Sequence, residues 1–210
     1  MNLDCNLLIL DYLVHHCYGK TAKAFIENIK ALDQFAYLPS QTKHSEILER
    51  VNIEWALLDA RKTIKDSIEQ GEIHRALKVI EDHFPALLEH DELQHISFRL
   101  RCQHFIEIIR SGSEMEAILY AQKYLKPVRH EFKEQVREVT SLIAYSDPFQ
   151  SQSKHLMSQQ RRDRLAHEVN CAILDLHCLS DESTIEKVQR QYAVVTDELE
   201  RIDIKEKKSA

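Results

Sequence analysis

Glycine and proline are scarce in this chain, which has three glycines and four prolines among 210 residues. All seven lie between stretches in which apolar residues recur at the spacing of a helical face. Since these two residues most often interrupt regular structure, long uninterrupted elements are expected between them. No segment long enough to form a strand alternates apolar and polar residues. The chain is therefore predicted to be an all-α protein with clean breaks between its helices.

The first two predicted helices form a short hairpin. Leu7, Leu10 and Val14 lie on one face of the first helix. Gly19 is predicted to end that helix in a left-handed conformation, and Thr21 is predicted to cap the second helix. A hairpin of about 30 residues has too little core to be stable alone, since domains below about 40 residues usually need further stabilisation. The hairpin is therefore predicted to pair with another copy.

Helical spacing returns after a linker and continues almost to the end of the chain. Gly71 and Gly112 are predicted to stop helices, and Ser113 with Glu116 is predicted to form a capping box. A polar loop is predicted over residues 146–160. The last two helices carry apolar stripes that consist of Leu165, Val169, Ile173 and Leu176, then of Ile185, Val188, Tyr192, Val195 and Leu199.

Composition and charge exclude several classes of protein. Hydrophobic residues make up 43% and charged residues 30%, so the chain can bury a core. The net charge of −6, with both signs interspersed, disfavours a nucleic-acid binder. No apolar run is long enough to span a membrane, and no secretory signal is expected. Five scattered cysteines without a CxxC pair indicate reduced thiols, and hence the cytoplasm or nucleus.

Three neighbouring residues with metal-binding or nucleophilic side chains, His15, His16 and Cys17, precede the break in the hairpin. Adjacent residues on a helix point about 100° apart, so the two imidazoles are predicted not to share a metal ion. They are predicted instead to line the turn or an interface. A looser set of histidines does not pair with a cysteine at zinc-finger spacing, and it comprises His74, His83, His90, His95 and His104. No metal or cofactor is predicted.

Signatures of catalysis are missing from the sequence, which has neither a nucleophile elbow nor a glycine-rich phosphate loop. Cys102 falls on an apolar stripe and is predicted to be inert packing. Arg161, Arg162 and Arg164 are predicted to form a solvated face, with an acidic partner as the alternative. The chain is therefore predicted not to be an enzyme.

The stretch YLVHHCYGKTAKAF resembles the LisH motif, a short helical hairpin that dimerises. His16, Tyr18, Thr21, Ala22 and Phe25 stand at positions that characterise the motif. The resemblance implies a dimer interface made by Leu7, Leu10, Val14, His16, Tyr18, Thr21, Ala22, Phe25 and Ile26.

The stretch IKDSIEQGEIHRALKVIEDHFPALLEHDELQHISFRLRCQHFIEIIRSG resembles the CTLH domain. The first part of the CTLH pattern is met by Ile68, Gly71, Ile73 and Ala76. Its later parts are met by Pro85, Leu87, Leu88, Phe98, Leu100, Gln103, Phe105, Ile106 and Glu107. The segments EAILYAQKYLKP, LIAYSDP and EVNCAIL resemble the CRA segment that follows CTLH in the same family.

The chain thus resembles the LisH-CTLH-CRA family over about residues 3–200. The family implies a LisH hairpin (1–35), a linker (36–52), a CTLH domain (53–111) and a CRA domain (112–204), with CTLH and CRA forming an array of antiparallel helices. It also implies a return contact from CRA helices to the hairpin. Residues expected in the CTLH/CRA core or in partner contacts are Ile68, Ala76, Leu87, Leu88, Phe98, Phe105, Ile109, Val169 and Ile173.

The resemblance implies a non-catalytic scaffold subunit of the CTLH (glucose-induced-degradation, GID) E3 ubiquitin ligase, acting in ubiquitin-dependent protein degradation. Expected partners are other LisH-CTLH-CRA subunits, including RING-bearing ones, and a substrate receptor, with a homo- or heterodimer through LisH. Both the small scaffold branch without a SPRY domain and the Ran-binding-protein branch fit the motifs. The alternative is a stand-alone LisH adaptor in microtubule or Ran GTPase signalling. Nucleic acid and membrane partners are not expected.

Overall fold

A computed structural model of the chain describes residues 5–35, 53–89, 93–126 and 130–209. Within these ranges the regular elements are α-helices and short 3-10 turns, and no strand occurs. The all-α prediction is confirmed. None of the described helices is long and apolar enough to cross a membrane. The predicted linker at 36–52 lies outside the described residues.

The α-helices follow one another with short connections. In chain order they are α1 (Cys5–His15), α2 (Gly19–Phe35), α3 (Trp55–Gln70), α4 (Ile73–His83), α5 (Ala86–Glu89), α6 (Gln94–Arg110), α7 (Glu114–Tyr124), α8 (Lys133–Thr140), α9 (Gln159–Leu176) and α10 (Thr184–Ser209). Short 3-10 turns are present at His130–Phe132, Ser141–Ala144, Pro148–Gln150 and Lys154–Met157.

The chain forms two compact units, and the first unit contains both ends of the sequence. It comprises residues 1–58 and 180–210, while the second unit comprises residues 59–179. Helix α10 packs against α1 within the first unit. The return contact expected from the family is thus made by the last helix, and the units divide the predicted CRA segment between them. The linear boundaries at 35, 52, 111 and 204 stay predictions.

The core of the first unit forms around the N-terminal hairpin. Leu10, Ala22 and Ile29 are buried where α1 and α2 face each other. Ile53 and Trp55 pack against this cluster, as do half-buried residues of the hairpin itself. Residues from outside the hairpin therefore supply part of the apolar surface that a two-helix element of this length lacks.

Helix α6 is the centre of the second unit. It packs against α4, α5, α7, α8 and α9. Its buried residues include Phe98, Cys102, Phe105, Ile106 and Ile109, and they extend around most of the helix. A helix that is apolar on nearly all sides belongs in the interior of a domain. The sequence predicted a single buried stripe on this helix. In the structure, neighbouring helices bury residues around almost its whole circumference.

The residues expected in the CTLH/CRA core or in partner contacts lie mostly inside the second unit. Leu88 is half-buried. The others are buried, and they are Ile68, Ala76, Leu87, Phe98, Phe105, Ile109, Val169 and Ile173.

The turn between α1 and α2 differs from the prediction. The left-handed residue is Cys17, with φ 63°, and Gly19 is already the first residue of α2. The Tyr18 N–H donates to the Leu13 carbonyl at 2.8 Å, which closes α1 in a Schellman motif. Because only three residues join the helices, the chain must reverse directly after His16. The prediction that Gly19 ends α1 is therefore wrong.

Other predicted helix ends have mixed outcomes. Gly71 and Gly112 take positive φ angles of 84° and 80° and end helices as predicted. Thr21 lies inside α2, because the first helical bond runs from the Ala22 N–H to the Tyr18 carbonyl, so Thr21 is not the cap. Ser113 stands immediately before α7, but its side chain makes no capping bond.

The segment predicted as a polar loop, 146–160, contributes to the core of the second unit. Two 3-10 turns occur within it, and Leu156 and Met157 are buried. Arg110 donates from Nη2 to the Met157 carbonyl at 2.6 Å, which holds the segment against α6. The packing was not predicted, because the segment is mostly polar and only two of its apolar side chains are buried.

A polar network joins α6 to α9. Arg162 Nε donates to Glu107 Oε1 at 2.8 Å, and its Nη2 makes an ion pair with Glu107 Oε2. Gln103, which is fully buried, donates to Glu107 at 2.6 Å and accepts from Arg161 Nε at 2.9 Å. Hydrogen bonding to Glu107 raises the pKa of the Arg162 guanidinium. Arg161 and Arg162 therefore do not form a solvated face as predicted, whereas Arg164 is exposed.

Gly71 lies directly beneath this network. A Cβ at residue 71 would stand 2.5 Å from Arg162 Nη2 and 2.9 Å from Glu107 Oε2. Gly71, Gln103 and Glu107 all belong to the CTLH pattern, and the structure brings them to one place. The glycine is thus required both for its positive φ and for the close approach of the ion pair.

We expect Phe105→Ala to lower the free energy of unfolding by about 3–5 kcal/mol, since truncating a buried phenylalanine leaves a cavity. Urea unfolding followed by circular dichroism measures the loss. Phe149→Ala is the matched control, because Phe149 is 48% exposed whereas Phe105 is fully buried. Equal losses in the two variants would contradict the central position of α6.

We expect Gly71→Ala to destabilise the protein more than Gly112→Ala does. Both glycines have φ near 80°, but a Cβ at Gly112 meets no atom within 4 Å. Gly112→Ala therefore measures the conformational cost alone, about 1 kcal/mol. Gly71→Ala adds the displacement of the Arg162–Glu107 pair. Thermal unfolding of both variants gives the difference, and a difference of zero would show that the network adapts without cost.

Candidate interaction site

The predicted LisH interface residues occupy three kinds of position. Leu10 and Ala22 are buried in the hairpin's own core. The half-buried residues are Leu7, Val14, His16, Phe25 and Ile26, and the exposed residues are Tyr18 and Thr21. Half-buried and exposed positions are where a partner could make contact, and the dimer interface itself stays a prediction.

The start of α10 is held to α1 by a group of polar contacts, here called the clasp, which comprises Asp11, His16, Ser183, Thr184 and Glu186. The Thr184 N–H donates to Asp11 Oδ2 at 2.7 Å. His16 Nε2 and Glu186 Oε1 are 3.1 Å apart. A carboxylate at a helix N-terminus also interacts favourably with the helix dipole. The end of the first helix and the start of the last helix therefore meet in directed polar contacts.

Within the clasp, Ser183 and Glu186 form a capping box. Glu186 Oε2 accepts from the Ser183 N–H at 2.8 Å and from its hydroxyl at 2.7 Å, and the Glu186 N–H donates back to Ser183 Oγ at 3.4 Å. A serine followed three residues later by a glutamate is the sequence pattern of this motif. The capping box was predicted at Ser113 instead, and the one at Ser183 was missed.

The clasp shifts the acidity of Glu186. Burial raises the pKa of this carboxyl, but the Ser183 hydrogen bonds and the nearby His16 and His15 more than offset burial, so the pKa lies below its usual range. A lowered folded-state pKa stabilises the fold above the carboxyl's ordinary pKa. That contribution is lost as the pH falls through the lowered value.

The two histidines at the end of α1 lie closer than helical geometry predicted. Their ring centroids are 4.9 Å apart, and one donor atom from each lies within 4.8 Å of the other and of Glu186. The His16 N–H still donates to the Tyr12 carbonyl at 3.0 Å, as in a helix, so an angle of about 100° between adjacent side chains does not keep these two imidazoles apart. His15 is buried and His16 half-buried.

Helix α10 exposes an apolar stripe, here called the seam. The spacing along the seam is four, three, four and three residues, which is the heptad pattern of a two-stranded coiled coil. The seam consists of Val188, Tyr192, Val195, Leu199 and Ile202, with exposed fractions between 43% and 74%. The predicted stripe shares four residues with the seam, but it lacks Ile202 and includes Ile185, which is half-buried. A sequence cannot say whether such a stripe is covered. Exposed apolar patches of this kind mark interaction sites.

Helix α7 in the second unit exposes a smaller apolar group. Met115, Ile118 and Leu119 stand at helical spacing and are 70%, 36% and 59% exposed. The same helix buries Ala117 against α6. One face of α7 therefore serves the core while another presents apolar side chains to solvent.

The thiol of Cys102 is an unsuitable nucleophile. The residue is 2% exposed, and burial raises the pKa of the thiol to about 12. At neutral pH the reactive thiolate is therefore scarcely populated. This agrees with the prediction that Cys102 contributes packing.

Comparison with known proteins assigns the family. The model of the CTLH/CRA domain C-terminal to the LisH motif matches residues 57–199. A glucose-induced degradation protein 8 homolog from Dictyostelium discoideum is 28% identical over 174 residues, which cover 81% of this chain and 68% of that protein.

Two further relatives represent the two branches that the motifs left open. A glucose-induced degradation protein 8 homolog from Nematostella vectensis is 26% identical over 210 residues, with 99% of this chain and 84% of that protein covered. A Ran-binding protein M homolog from Arabidopsis thaliana is 27% identical over 197 residues, with 89% and 41% covered. With the CTLH/CRA match over most of its length and a helical hairpin before it, the chain belongs to the LisH-CTLH family, whose CTLH/CRA domain lies C-terminal to a LisH motif.

Proposed function

We propose that this protein is a non-catalytic scaffold subunit of a CTLH (GID)-type E3 ubiquitin ligase complex in the cytoplasm and nucleus. Its first unit pairs with a second LisH-CTLH-CRA chain, and its CTLH and CRA helices bind RING-bearing subunits and a substrate receptor. The similarity to proteins named glucose-induced degradation protein 8 homolog supports the choice of complex. The observation that carries the scaffold role is the exposed seam of α10.

The seam favours a helical partner. Its apolar residues follow the heptad positions a and d, which in a coiled coil insert between side chains of the facing helix. The positions that flank a seam set partner choice by their charges. Here Glu198 is charged and pairs with Arg201 of the same helix, whereas Gln189, Gln191 and Thr196 are uncharged. Charge at these three positions therefore does not oppose pairing with a second copy. Because the seam covers only about two heptads, contacts of the hairpin must add to its affinity.

The exposed face of α7 fits the second part of the proposal. Met115 and Leu119 are large apolar side chains that are exposed to water in the isolated chain. A partner that covers them removes apolar surface from water, which contributes favourable binding free energy. They lie in the CTLH/CRA unit, which in this proposal binds the other subunits.

We expect Val195→Asp to reduce pairing, because it places a charge in the centre of an apolar seam. Val194→Asp is the control, since Val194 is 58% exposed and Val195 57%, but Val194 lies outside the heptad positions. Light scattering over a concentration series measures the mass of both variants. A Val195→Asp variant that retains the mass of the unmodified chain would contradict the seam as pairing surface.

Substitutions in the hairpin are less decisive. Phe25→Asp and Ile26→Asp are also expected to break the pair, but both residues pack against the hairpin's own core. A loss of mass in these variants can therefore follow from local unfolding. Val195→Asp avoids this ambiguity because Val195 is exposed within the chain.

The complex itself is tested by purifying the tagged full chain from its own cells and identifying co-purified proteins by mass spectrometry. We expect RING-containing proteins, recovered in lower yield with Leu119→Asp than with Leu179→Asp. The two leucines are matched, with 59% and 56% exposure in the same unit. Recovery of tubulin or Ran without any RING protein would instead favour the stand-alone LisH adaptor.

A further inference from the structure

The clasp contains a group of metal-ligand atoms at the point where α1 ends and α10 begins. One nitrogen each from His15 and His16 and one carboxylate oxygen of Glu186 lie within 4.8 Å of one another. Within the described ranges this is the single group of three or more histidine, cysteine or acidic residues close enough to share an ion. All three residues belong to the first unit.

The donor set suits zinc. Two imidazoles and one carboxylate form a ligand set that binds Zn²⁺ in proteins, with water in the fourth position. Tetrahedral Zn²⁺ with bonds of about 2 Å requires donor atoms roughly 3.3 Å apart. His16 Nε2 and Glu186 Oε1 already stand 3.1 Å apart. The His15 donor atom lies within 4.8 Å of both, so it has to approach by at most about 1.5 Å to reach the tetrahedral spacing.

The carboxylate is positioned by its own partners. Glu186 Oε2 accepts from the Ser183 N–H and hydroxyl, at 2.8 and 2.7 Å, so Oε1 faces His16. Hydrogen bonds that orient a ligand in this way typically raise the affinity of a metal site. The capping box thus fixes one ligand before any ion binds.

Access and burial are also compatible with an ion. The side chains of His16 and Glu186 are 19% and 34% exposed, so the group can be reached from solvent. His15 is only 6% exposed and forms the inner side of the group. An ion here would link the end of α1 to the start of α10.

We propose that His15, His16 and Glu186 bind one Zn²⁺ ion that ties the end of α1 to the start of α10. Binding stabilises the first unit, since an ion that binds only the folded protein raises its melting temperature. The prediction of no metal rested on the angle between adjacent helical side chains, yet the two ring centroids lie only 4.9 Å apart. This site is independent of the proposed role in a ubiquitin ligase.

The test uses the full reduced chain after treatment with a chelator, titrated with ZnCl₂ by calorimetry and followed by thermal unfolding. All samples carry Cys171→Ser, because the exposed His167–Cys171 pair on α9, with Sγ and Nε2 3.6 Å apart, could itself take up zinc. We expect one ion per chain and a higher melting temperature. His16→Ala and Glu186→Gln should each weaken binding at least about tenfold.

Two controls separate this site from others. Glu186→Gln retains a residue that suits the capping box, so its helix content should stay near that of the parent even if His16→Ala unfolds. Its metal-free melting temperature should fall slightly, since the contribution of the ionised carboxylate is lost. His167→Ala should leave the affinity unchanged. Co²⁺ in place of Zn²⁺ should give visible bands of a nitrogen and oxygen ligand set without thiolate charge transfer.

Three outcomes would overturn the site. The first is no zinc uptake by the Cys171→Ser parent. The second is unchanged affinity in both His16→Ala and Glu186→Gln, which would identify an adventitious ion only. The third is a thiolate band with Co²⁺, which would assign the ion to a cysteine such as Cys17 instead.

Discussion

The burial of helix α6 is the constraint on which the second unit depends. Five helices pack against it, so each of them owes its position to the apolar surface that α6 presents on that side. Gln103 is the exception on this helix, because it is a fully buried polar residue. Its hydrogen bonds to Glu107 and Arg161 compensate for the loss of water and fix the register of α9 against α6. Helix α6 therefore supplies both the apolar core of the unit and the hydrogen bonds that orient α9.

The first unit depends on contacts from outside its hairpin, since the hairpin is too short to bury an adequate core. Residues distant in sequence complete it: Ile53 and Trp55 pack against the hairpin cluster, and α10 packs against α1. The contacts of Asp11 and His16 with the start of α10 give this association a defined geometry. A scaffold benefits from such an arrangement, because the helix that presents the apolar seam is itself anchored at its first turn.

The exposed apolar surfaces of this chain contrast with the burial of its Cys102 thiol. The buried Cys102 thiol has a pKa of about 12, whereas the seam and the exposed face of α7 offer apolar side chains to a partner. The clasp differs from these surfaces, because His16 and Glu186, which join the end of α1 to the start of α10, have side chains that can bind a metal ion.

The sequence by itself determined the helical class, most helix positions and the family, because apolar spacing, the rarity of glycine and proline, and the CTLH pattern are local signals. It also located Gly71 and Gly112 at helix ends, since a positive φ favours glycine. Only the tertiary structure decided that Cys17 and not Gly19 makes the first turn, that Arg162 pairs with Glu107, and that the stripe of α10 is exposed. The physical reason is that a periodic pattern states which residues share a face, whereas the neighbours of that face come from distant parts of the chain.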